Sequence, residues 1–71
     1  MIRIEAIMIN GLRSTLTHYS STETKVIKLN KKTFVQDALK YIEQYLNETG
    51  FELLNVVNDP TAGMMYNLIK K

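Results

Sequence analysis

Apolar and polar residues alternate over residues 2–9, so that Ile2, Ile4, Ala6 and Met8 share one face and Arg3, Glu5, Ile7 and Ile9 the other. The second face opens polar and turns apolar, the pattern of a strand entering a region buried on both sides. Asn10-Gly11 marks a turn, because both residues tolerate positive φ. The hydroxyl-rich stretch RSTLTHYSSTET follows. Its Thr and Tyr content permits a ragged strand through Leu16 and His18, but Ser20-Ser21-Thr22 would break one. Residues 12–24 are therefore read as a mobile hairpin arm or loop, and KVIKL, residues 25–29, as the second strand.

A helix is the clearest element. Val35, Ala38, Leu39, Ile42 and Leu46 recur at three- and four-residue spacing and predict a buried stripe, widened on one flank by Phe34, Tyr41 and Tyr45. Thr33 followed by Gln36 fits a capping box, with Asn30 a rival cap one turn earlier. Gly50 suits the position just past the helix end. Strict alternation over residues 51–57 then puts Phe51, Leu53 and Val57 on one side and Leu54 and Val56 on the other. Residues 58–63 form a loop around Pro60, and residues 64–69 a last strand. The predicted fold class is α+β, with order β-β-α-β-β and an antiparallel sheet carrying one helix packed on one face. One helix covers one side of such a sheet, yet Ile7, Ile9, Leu54, Val56, Met65 and Ile69 suggest apolar material on the other. Face-to-face pairing of two copies is the expected solution.

Length agrees with this picture. At 71 residues and 8.2 kDa the chain has room for a single small domain, residues 1–71, that buries about 60% of its unfolded surface. A hydrophobic content of 45% with 23% charged residues places it among globular chains rather than disordered ones. Cysteine is absent, which removes disulfides, thiolate nucleophiles and cysteine zinc sites. The first apolar stretch, residues 6–9, is far too short for a spanning helix or a signal peptide. The expectation is a cytoplasmic protein with no membrane partner. The net charge of +2 is unevenly spread. Arg3, Arg13, Lys25, Lys28, Lys31 and Lys32 stand against Glu5 and Glu23 in residues 1–32, and acidic residues prevail beyond.

From the helix onward, KTFVQDALKYIEQYLNETGFELLNVV and the closing MMYNLIKK resemble a small bacterial family of uncharacterised one-domain proteins. Leu46-Asn47-Glu48-Thr49-Gly50 stands for that family's helix end. Phe51-Glu52-Leu53 stands where its strand opens with Trp-Glu-Leu, the tryptophan being Phe51 here. The resemblance implies the fold and brings no activity or catalytic residue.

Candidate chemistry is sparse. His18 is the single histidine and lies among hydroxyls, but a Ser–His pair within a loop lacks the preorganisation that nucleophilic catalysis needs. Asp37, Glu43, Glu48 and Asp59 have no pairing that suggests acid–base work, and Glu52 is placed to meet a lysine on a neighbouring strand. One histidine and no calcium-loop pattern argue against a metal, and no glycine-rich phosphate motif occurs. The expected set of catalytic, cofactor and metal residues is empty, and the protein is read as no enzyme. Contacts to a partner or nucleic acid are assigned to Arg13, His18, Tyr19, Lys25, Lys28, Lys31 and Lys32. Lys25 and Lys28, three apart, point to opposite faces of a strand, while Tyr19 is able to stack on a base. The functional expectation is a small non-enzymatic binding or adaptor protein acting as a homodimer, with a protein partner. The alternative is nucleic-acid binding through residues 13–32.

Overall fold

The computed structural model describes residues 2–60 and 63–71. The chain runs β1 (Arg3–Asn10), β2 (Thr15–Tyr19), β3 (Thr24–Lys28), α1 (Phe34–Thr49), β4 (Glu52–Asp59) and β5 (Gly63–Lys70). Every pairing is antiparallel, and the five strands lie in the order β3-β2-β1-β5-β4, with α1 joining the two edges. The class is α+β, as the pattern predicts, but the order is β-β-β-α-β-β. The additional strand is β2, inside the stretch 12–24 that reads locally as an arm or loop. It is paired on both sides, Ile7 with His18 and His18 with Lys25, and it buries Leu16 completely. Burial of alternate residues and two ladders outweigh a weak local propensity. The Ser20-Ser21-Thr22 break falls in the β2–β3 turn, where the Ser20 N–H donates to the Glu23 carbonyl at 3.0 Å. Thr61 and Ala62 of the expected 58–63 loop lie outside the described residues.

The core is built from Ile7, Ile9, Leu16, Ala38, Ile42, Phe51 and Leu68. Ile7 and Ile9 thus face the helix, not a second apolar layer, and Val56 lies on the same side through its pairing with Tyr66, which pairs with Ile7. The cause on β4 is a register shift between Leu53 and Asn55. Leu54 is the additional residue of this bulge, so Leu53 and Val56 fall on one side where strict alternation separates them. Of the residues expected on the uncovered face, Met65 and Ile69 are there.

The helix is also turned relative to its predicted stripe. Ala38 and Ile42 are buried and Leu46 is half-buried, but Val35 and Leu39 are about half exposed while Phe34, Tyr41 and Tyr45 pack on the core. The buried face is centred on the aromatic flank. No capping box forms at Thr33, whose hydroxyl donates instead to the Asp37 carboxylate at 2.9 Å. Asn30 caps the preceding turn, accepting from the Lys32 N–H at 2.9 Å. Gly50 ends the helix as its sequence position suggests, with φ at 81° and its N–H donating to the Leu46 carbonyl.

Candidate functional site

Glu5 on β1 and His18 on β2 are diagonal neighbours on the helix side of the sheet, since Ile7 pairs directly with His18. One helical turn separates Tyr41 and Tyr45, so both hydroxyls reach down to the same spot. The His18 Nε2 lies 2.7 Å from Glu5 Oε1, and its Nδ1 lies 2.9 Å from the Tyr41 hydroxyl. Tyr45 donates its hydroxyl to the same Glu5 oxygen at 2.5 Å. Imidazole edges meet both tyrosine rings at right angles, 4.4 Å from Tyr45 and 5.9 Å from Tyr41. The His18 and Glu5 side chains are only 6% and 11% exposed. This network is the polar end of the core. Above it opens a cleft of about 470 Å³, rimmed by Glu23, Lys25, Gln44 and Glu48.

The surroundings set the protonation of the two phenols. Burial raises the Tyr45 pKa far above its ordinary value near 10, and the hydrogen bond to Glu5 and that carboxylate's charge push the same way. Burial raises Tyr41 too, with Lys25 opposing and Glu5 and Glu23 adding to it. Both phenols therefore remain protonated. A carboxylate, an imidazole and a hydroxyl in series have the layout of a proton relay, but a phenol held protonated is the reverse of an activated nucleophile. The arrangement presents fixed donors and acceptors beside aromatic rings. Among the described residues no cluster of three or more His, Asp or Glu side chains is placed to hold a metal ion.

The residues singled out from the sequence do not form one surface. His18 is in the network and Lys25 on the rim of the cleft, 3.6 Å from Glu23. Tyr19 and Lys28 lie on the opposite, uncovered face of the sheet, by their parity with His18 and Ile27. Arg13, in the β1–β2 turn, and Lys31 and Lys32, before the helix, belong to segments at the same end of the sheet as Lys28, where the Leu29 N–H donates to the Ser14 carbonyl at 2.7 Å. Glu52 makes no ion pair among the described residues. Glu5 belongs to no motif, and its phase with Ile7 and Ile9 is the one signal of its place that the sequence carries.

The uncovered face is the second feature of note. A row of Val26, Thr17, Met8, Met65 and Val57 crosses all five strands, beside Ile4, Ile69, Ala6 and Tyr19. Lys28 and Glu52, on opposite edges, are the only charged side chains among those described for the strands of this face. Comparison with family models, curated proteins and solved structures finds no match. No described helix is long and apolar enough to cross a membrane.

Proposed function

We propose that the chain is a small non-enzymatic binding protein that acts as a homodimer, two copies packing through the uncovered sheet face. The largely apolar row across all five strands carries this reading, because no described residue covers it. The total surface supports it. At 5207 Å² it is about 700 Å² above the roughly 4,500 Å² that a compact 8.2 kDa monomer exposes. That excess is close to one subunit's share of a standard interface, about 800 Å². A second copy is the fitting occupant, since a two-fold arrangement sets the same largely apolar row against itself. The bulge at Leu54 makes the β4 edge itself a poor place for strand addition.

Sedimentation equilibrium at micromolar concentration tests the reading. The expected mass is about twice 8.2 kDa for the wild-type chain, and a single-chain mass for folded Met65→Glu or Val57→Glu. A wild-type monomer, or two folded variants that both stay dimeric, overturns it.

Convergence of Arg13, Lys28, Lys31 and Lys32 at one end of the sheet supports a second reading, a nucleic-acid contact through residues 13–32. Fluorescence anisotropy of labelled oligonucleotides at two salt concentrations decides it. Phosphate contacts would lower the log–log salt slope by about one for each lysine changed to Gln. Wild-type binding that ignores salt, or that persists in the Lys28, Lys31 and Lys32 variant, removes this reading.

A further inference from the structure

Glu5 spends one oxygen on two partners. Both His18 and Tyr45 bond to Oε1, and Oε2 has no hydrogen-bond partner among the described residues. No fully buried side-chain oxygen or nitrogen there lacks a partner, so Oε2 is open to solvent, and the space that borders Glu5 is the cleft. Glu5 thus keeps one acceptor oxygen outside the network, at the border of a cleft of about 470 Å³. Around it stand the rings of Tyr41 and Tyr45, parallel to within 2°. On the rim, Glu23 and Glu48 outnumber the single Lys25.

We infer that this cleft is a binding site for a small organic ammonium ion, its N–H groups donating to Glu5 Oε2 and its carbon skeleton lying against Tyr41 and Tyr45. Three features select that chemistry. The carboxylates repel anions. The ring carbons of Tyr41 and Tyr45, which line the cleft, suit an alkyl skeleton rather than a bare metal ion. Calcium needs six to eight oxygen ligands in a cage, and among the described residues the carboxylates are not grouped to hold a metal ion. The void is in the size range of small-molecule sites, about 300–1,000 Å³, so a short-chain amine fits with room to spare. Lys25 is an internal competitor, loosely held at 3.6 Å from Glu23 and free to swing out as the ligand enters.

The test is a titration of the full chain with n-butylammonium chloride, read by NMR at the His18, Tyr41 and Tyr45 rings. Sodium butyrate and sodium chloride at matched ionic strength serve as controls. Saturable millimolar shifts with the amine alone are expected. Glu48→Gln, at an exposed position, should weaken binding a few-fold without disturbing the fold. Glu5→Gln should abolish it, with circular dichroism confirming that the variant is folded. If Glu5→Gln unfolds, Glu23→Gln with Glu48→Gln decides, and the pair should weaken binding further than Glu48→Gln alone. Equal shifts with butyrate or sodium chloride, no shifts at all, or wild-type affinity in the rim variants would overturn the inference.

Discussion

Alternation along β1 carries the Glu5 carboxylate to the helix side together with Ile7 and Ile9, and a charge delivered there must find partners. His18 and Tyr45 provide them, and Tyr41 completes the network from the other imidazole nitrogen. Tyr45→Phe removes a donor to a nearly buried carboxylate while keeping the ring, and should cost about 1–3 kcal/mol in urea denaturation. Alkaline pH gives a second check. In the unfolded chain a tyrosine loses its proton near pH 10, whereas folded Tyr41 and Tyr45 retain theirs because their pKa values are raised. Above that pH the folded state holds more protons, so the stability these groups contribute is complete below about pH 10 and declines as the pH rises beyond it. The urea midpoint should therefore fall between about pH 9.5 and 11.5, and fall less steeply in Tyr41→Phe/Tyr45→Phe. An unchanged slope in the double variant would remove these phenols as the cause. Glu5 was legible only in part. Its phase was visible, but its partners come from 13 and 40 residues away, beyond the reach of a local pattern.

Each element was readable where local chemistry decides and misread where packing does. The helix and its glycine stop follow from spacing and from the freedom of Gly50 at φ 81°. Its rotation does not, because a stripe containing both Leu and Tyr is compatible with either being innermost. Here the tyrosines are drawn inward by His18 and Glu5, which leaves Leu39 46% exposed and Ile42 only 5%. Ile42→Ala should accordingly cost about 2–5 kcal/mol in chemical denaturation, and Leu39→Ala under about 1.5. Equal losses would restore the stripe centred on Leu39. On β4 the period of two fails at Leu54, as no residue preference announces an inserted position. Glycine matters once more at Gly63, where φ is 99° and a Cβ would sit 2.1 Å from the Ile9 carbonyl oxygen. Gly63→Ala should destabilise the protein by about 1–3 kcal/mol, measurable in the same denaturation series.

For the whole molecule, the class of fold was legible and the identity of the bare face was not. Knowing that one helix shields one side of a sheet follows from counting elements. Which side requires the registers of all five strands, and these show that the uncovered row runs through Met8 and Met65. If two copies close over that row, folding is linked to association and the thermal midpoint must rise with protein concentration. Scans over a hundredfold concentration range should show that rise for the wild-type chain and none for Met65→Glu. A midpoint independent of concentration in the wild type would mean that pairing adds nothing to stability.

The first strand sits at the centre of the sheet and takes one of its two neighbours from the far end of the chain, Arg3 opposite Lys70 and Ile9 opposite Met64. During synthesis, then, β1 emerges first and waits for β5 with one ladder unmade. A ribosome-bound chain halted before Gly63 can form the β1–β2–β3 meander, yet the Leu68 side chain that seals the core is missing. Contacts so distant in sequence slow folding relative to a helical domain of equal length. Until the last strand arrives, the edge of β1 is exposed to any other unpaired strand, so the interval between translating residues 10 and 70 is when this protein is most open to aggregation.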